Sequence, residues 1–283
     1  LVGSEMCIRD SLWIDGLGLL FSDIPPNKVF LWTESAGAKL YLTPSGYTSN
    51  VMRGGEIGSN GLLLDHENRL ILCQHGDRRI ARMIPDVHSP KPEFETIVDN
   101  YQGAKLNSPN DACFNSNGDL YFTDPPYGLE TRMDDPLKEL DFQGVYRYDK
   151  EGVLTLMTNE MTRPNGIALT PDEQTLIVAN SDPEKAIWMK YSLGEDGLIM
   201  SKELFYDATQ EVSKHAGLPD GLKIDNTGYV YASGPGGIWI FTEAGKVLGK
   251  IRTGQATSNC ALDSNENYLY ITADMYVMRV KLK

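Results

Sequence analysis

No stretch of this sequence approaches the roughly 20 consecutive apolar residues that a membrane-spanning helix requires, and no long segment keeps a helical spacing of apolar residues. Basic residues are in short supply: 26 Lys and Arg stand against 39 Asp and Glu, a formal charge of −13. Such a surface repels phosphate backbones and anionic lipid alike, which excludes nucleic acid and an anionic membrane as partners and suits a small neutral or metal-bound substrate. Cysteine is also sparse. Cys7, Cys73, Cys113 and Cys260 show no CxxC spacing, which excludes a zinc ribbon or a thioredoxin motif. The last three lie in or beside apolar strands and read as buried free thiols.

What is present is a repeat. Short polar anchors recur at Ser59-Asn60-Gly61, Pro109-Asn110-Asp111, Pro164-Asn165-Gly166, Pro219-Asp220-Gly221 and Ser258-Asn259-Cys260. Each leads into a short apolar strand, a turn such as Asn117-Gly118-Asp119 or Asn226-Thr227-Gly228, and a second strand rich in β-branched and aromatic residues. Two further strands follow in most units, for example Val145–Tyr148 and Leu154–Met157 after the Asn110 anchor. Four strands per unit at this period make the blade of a β-propeller. Five full units and a final one with three strands predict an all-β, six-bladed propeller whose last blade is one strand short. It forms a single domain over residues 12–283.

Residues 1–11 stand apart. The string from Leu1 to Ser11 has neither strand alternation nor the basic start and apolar core of a signal peptide. It resembles one reading frame of a transposase sequencing-library adapter. On that reading the natural N-terminus has been replaced.

In a propeller the innermost strands line a central channel, so the starts of those strands bring distant residues together. Asn60, Asn110, Asn165, Asp220 and Asn259 would then form a ring of oxygens, although Asn and Asp also serve to fix tight turns. Amide oxygens with a carboxylate suit Ca2+, or less specifically Mg2+ or Mn2+; Zn2+ would prefer His or Cys.

Five segments now carry a resemblance: SNGLLLDHENRLILCQHGDRR, LNSPNDACFNSNGDLYFTDPPYGL, RPNGIALTPDEQTLIVANSD, LPDGLKIDNTGYVYASGPGGIWIF and TSNCALDSNENYLYITADMY. Together they resemble the gluconolactonase/regucalcin superfamily, bacterial gluconolactonases most of all, over essentially Leu12 to Lys283. The resemblance implies metal-dependent hydrolysis of a sugar lactone to its aldonic acid. It implies an axial divalent ion held by Asn165, Asp220 and Asn110, with Asn110 completing the shell or binding substrate beside Asn60 and Asn259. It also implies a first-blade Glu, in a pattern ending at Trp13, that falls at position 9, where this chain has Arg9. A diisopropyl fluorophosphatase-type hydrolase or a non-catalytic interaction platform are the other readings such a propeller allows.

The reacting water needs a base. Asp220 is the first candidate, but a carboxylate bound to a cation is a weakened base. Asp124 and His75 are the alternatives; Asp124 could equally form an Asx turn into Pro125-Pro126, and His75 could be structural. Trp32, Trp188 and Trp239 read as packing between blades, Arg78-Arg79 as a solvated hairpin, and Asp134-Asp135 as solvent-facing.

Overall fold

The computed structural model describes residues 8–282. Among these the strands form six antiparallel sheets in chain order, five of four strands and a last of three, with one additional two-stranded hairpin. The blades start at Ile8, Ser59, Ala112, Pro164, Leu222 and Thr257. The inner strand of each packs against that of the next, and the sixth returns to the first. The chain is a six-bladed β-propeller. Among the described residues helix is confined to Arg132–Asp134 and Thr209–Val212, and no described helix is long and apolar enough to cross a membrane.

Most strands fall where alternation and turn punctuation put them; Leu222–Ile224 and Phe94–Val98 coincide end to end. The small hairpin pairing Asn100–Tyr101 with Ala104–Lys105 was not anticipated, since two-residue strands carry no measurable alternation. Residues 1–7 of the adapter-like string lie outside the described residues. Residues 8–11 open the first inner strand, Ile8–Ile14, where Ile8, Asp10 and Ser11 are buried. Ladder pairing uses backbone groups, which every residue but proline supplies in full.

Blades are joined mainly by apolar and aromatic packing. Trp188 of the fourth blade meets Trp239 and Phe241 of the fifth at centroid distances of 5.9 and 5.4 Å. Trp32 and Trp13 of the first blade meet Tyr270 of the sixth at 5.9 and 4.9 Å. Cys73 and Cys260 are buried and Cys113 half-buried, all as free thiols. Two expectations are corrected. Arg78 is not solvated: it is 5% exposed and its guanidinium donates to the carbonyls of Leu106 (2.7 Å), Asn107 (3.1 Å), Leu137 (2.7 Å) and Lys105 (3.3 Å), because the segment leading into the third blade and the long loop after that blade's second strand both pack over it. Asp135 is buried too, accepting from the backbone of Thr131 and Leu137, while Asp134 is exposed.

The anchors explain the shape of the axis. Pairing between first and second strands slips between Ser59 and Leu62, between Pro164 and Ile167, and between Ile8 and Ser11. Each slip is a bulge, and bulges re-aim side chains. Asn60, Asn165 and Arg9 therefore occupy equivalent places in their blades. The glycine after the anchor is required by its neighbour: a Cβ on Gly166 would lie 2.2 Å from the carbonyl oxygen of Asp220, to which the Gly166 amide donates at 3.2 Å. Hydroxyls on the second strands clasp the next blade. Ser22 donates to Asn60 O (2.8 Å), Thr123 to Asn165 O (2.7 Å), Ser233 to Ser258 O (3.0 Å), and Ser181 to Pro219 O.

Candidate active site

One end of the axis opens into a cavity of about 450 Å³. Asn60, Asn110, Asn165 and Asp220 all line it, each delivered by a different blade. Asn60 and Asn110 make no side-chain hydrogen bond with other described residues, although they are only 7% and 2% exposed. Asn165 donates from Nδ2 to Ser181 Oγ at 2.9 Å, which fixes its amide, and its side chain helps to lower the carboxyl of Asp220.

Asn259 is not on this wall. Its Nδ2 donates to Asp10 and its Oδ1 accepts from Cys260 N at 2.7 Å. Asp10 also accepts from Leu62 N and lies 4.0 Å from the Lys223 ammonium, so a polar layer closes the channel beneath the cavity. His75 and Asp124 are likewise not brought to the wall. Asp124 is fully buried, and its two oxygens accept from Asn107 N and Ser108 N at 2.8 Å each. Burial raises its carboxyl to about 7. His75 is fully buried 4.0 Å from Glu56, and burial followed by the charges of Arg9 and Arg53 depresses its imidazole to about 3. It is therefore neutral at working pH.

Several cavity residues were not singled out from sequence. Glu56 comes from the loop joining the first and second blades, outside the strands and anchors that the repeat picks out, which hides it. Tyr127 and Ser181 had only weak signals, the former behind Pro125-Pro126 and the latter just past a second strand's apolar run.

The electrostatics centre on Asp220. Burial raises its carboxyl to about 7; Arg9 opposes that shift, while Glu56 and Asp111 add to it. A carboxylate of that pKa is half-ionised near neutrality, poised to take a proton from water. The oxygens of Asn110, Asn165 and Asp220 suit a hard cation in kind. Arg9 does not: a guanidinium has no donor pair to offer and repels a cation from the same cavity. With Arg9 in place the set does not fit a divalent ion.

A family model described as SMP-30/Gluconolactonase/LRE-like region matches residues 11–274. The chain belongs to this family. It is 40% identical over 280 residues to a gluconolactonase of Zymomonas mobilis, covering 96% of this chain and 77% of that one. A solved gluconolactonase from Xanthomonas campestris superposes with a TM-score of 0.83 at 28% identity, covering 100% of this chain and 88% of that chain. A calcium-binding regucalcin from Agrobacterium tumefaciens superposes at 0.69 with 15% identity, covering 95% and 83%, a likeness of fold alone.

Proposed function

We propose that this chain hydrolyses a sugar lactone, of the gluconolactone class, to the aldonic acid. The observation that carries the reading is the meeting of Asn60, Asn110, Asn165 and Asp220 in one axial cavity, with Asp220 held near neutrality. Gluconolactonase is the name borne by the Zymomonas relative, and the family membership supports the same chemistry.

In this reading Asp220 takes a proton from a water molecule, and the hydroxide adds to the lactone carbonyl carbon. The ring C–O bond then breaks and the departing ring oxygen takes up a proton. Charge gathers on the carbonyl oxygen as the tetrahedral intermediate forms, so a donor or cation aimed at that oxygen lowers the barrier. Asn110, whose amide has no other partner among the described residues, and Arg9 are two groups in the cavity able to supply it. Asn60 is left to hold hydroxyls of the sugar. Among the described residues Tyr127 alone contributes a six-membered aromatic ring to the wall, a poor match for the apolar lining a phosphotriester would want.

Metal dependence belongs to a chain with a carboxylate at position 9. There Asn110, Asn165, Asp220 and the new carboxylate would hold a divalent ion, Ca2+ first, whose role is to polarise the carbonyl. The experiment is a hydrolysis assay on a panel of aldonolactones, run on the present chain and on Arg9→Glu, each with Ca2+ and with chelator. Turnover of at least one lactone above the spontaneous rate is expected from both. Absence of turnover from both, in every condition, would rule the reading out.

A further inference from the structure

Hydrolysis of a neutral lactone leaves two cations on the cavity wall without a task. Arg132 stands at the rim, in the loop after the second strand of the third blade, its guanidinium carbon 5.7 Å from the Tyr127 ring centroid. Arg163 directly precedes the inner strand Pro164–Leu169, and its charge also reaches Tyr127. Both line the cavity that holds Asn165 and Asp220.

Neither guanidinium is in an ion pair or a side-chain hydrogen bond with other described residues. Asp182 and Asp135 hydrogen-bond to other groups, although the charge of Arg163 also reaches Asp182 and helps to lower its carboxyl. Asp182 accepts from Thr162 Oγ1 at 2.6 Å and from Glu184 N at 3.0 Å. Asp135 accepts from Thr131 N at 3.0 Å and from Leu137 N at 2.9 Å.

In a chain of formal charge −13, this concavity holds the guanidiniums of Arg9, Arg132 and Arg163 against the carboxyls of Glu56 and Asp220. The local sign is opposite to that of the whole surface. A cleft of one sign concentrates ligands of the other, and the planar guanidinium fork matches the oxygens of a carboxylate or phosphate. Without Arg9 the wall balances at two guanidiniums to two carboxyls, and what remains is that neither Arg132 nor Arg163 forms an ion pair with another described residue.

We propose that the lactone taken by this chain carries an anionic group, a phosphate or a terminal carboxylate, at the end remote from the ring carbonyl, and that Arg132 and Arg163 hold it. The proposal rests on the lactonase reading above and narrows its substrate class. The bulk charge favours a neutral substrate only while the surface is treated as uniform; the cavity is not.

The test compares kcat/KM for glucono-δ-lactone, 6-phosphoglucono-δ-lactone and a glucarolactone, on the present chain, Arg132→Ala, Arg163→Ala and the double variant. One charge-assisted contact is worth about tenfold or more in binding, so at least one anionic lactone should exceed the neutral one by about tenfold, mainly through KM. Which of the two wins identifies phosphate or carboxylate. In the double variant the three values should converge. Equal or better turnover of the neutral lactone overturns the proposal and leaves the lactonase reading standing. If no lactone is hydrolysed, the lactonase reading falls, and calorimetric titration with 6-phosphogluconate, glucarate and gluconate decides the anion site. Tighter binding of a dicarboxylate or phosphate, lost in the double variant, supports it; equal binding by all three overturns it.

Discussion

Asp220 shares its cavity with Arg9 and Glu56, and burial carries its carboxyl to about 7 in spite of the guanidinium. Replacing it with Asn removes the base while keeping size and much of the hydrogen bonding. Asp220→Asn should cut lactone turnover by about a hundredfold or more, the usual scale for a general base, with the circular dichroism spectrum unchanged. Activity within about tenfold of the parent would take Asp220 out of that role. Arg9→Glu tests the same cavity by charge: terbium luminescence or calorimetry should detect a divalent site in the variant and none in the parent chain. Equal binding by both would mean that the guanidinium does not exclude the ion. The repeat exposed Asn60, Asn110, Asn165 and Asp220 because all four recur in register. Glu56 stayed hidden because it lies in a connecting loop, outside the recurring strands and anchors. His75 and Asp124 drew notice as polar residues beside strand ends, yet what distinguishes them from Asp220 is depth beneath the loops, which no local pattern records.

At the scale of the strand, the Asn-Gly pairs have a different cause from the one their composition suggests. In isolation such pairs mark turns, and here they sit at bulges where neighbouring inner strands nearly touch. Gly166 is without a side chain because the carbonyl of Asp220 occupies the space a Cβ would need, at 2.2 Å. Gly166→Ala should therefore destabilise the fold by about 1–3 kcal/mol, the range for overpacking a tight site, read as a lower denaturant midpoint at unchanged slope. Gly249, in the outer strand Val247–Arg252, has nothing within 4 Å of the corresponding position. Gly249→Ala is the control and should stay within about 0.5 kcal/mol of the parent. Comparable losses in both would locate the effect in strand glycine generally rather than in the approach of the blades. The hydroxyl clasps of Ser22, Thr123, Ser181 and Ser233 escaped notice for a related reason: each looks like an ordinary strand Ser or Thr until the next blade is placed beside it.

For the whole molecule, the blade count was legible because strand, turn and anchor recur together, whereas the manner of closure was not. The first inner strand seals the ring through Ile8 N donating to Asp274 O at 3.0 Å and Ser258 Oγ donating to Ile8 O at 2.8 Å, with Asp10 accepting from Leu62 N and Asn259. A carboxyl at such a depth has a consequence for stability. Desolvation raises Asp10, outweighing the help of Lys223, and raises Asp124 and Asp220 to about 7. A carboxyl whose folded pKa lies above its unfolded value of about 4 makes the folded chain the tighter proton binder. That stabilisation is complete below about pH 4 and disappears as pH rises through 7. His75 acts the other way: with its folded pKa near 3, it penalises the fold as pH falls from 6.5 towards 3. Asp10, Asp124 and Asp220, joined by Asp111, whose carboxyl burial also raises, outweigh one imidazole between about pH 4 and 7, so unfolding there releases protons on balance. The melting temperature should accordingly be higher at pH 5.5 than at pH 8, and the slope should be shallower in Asp220→Asn, which loses one of these groups. A midpoint that rises steadily from pH 5.5 to 8 would mean that these carboxyls are solvated or neutralised in the folded chain.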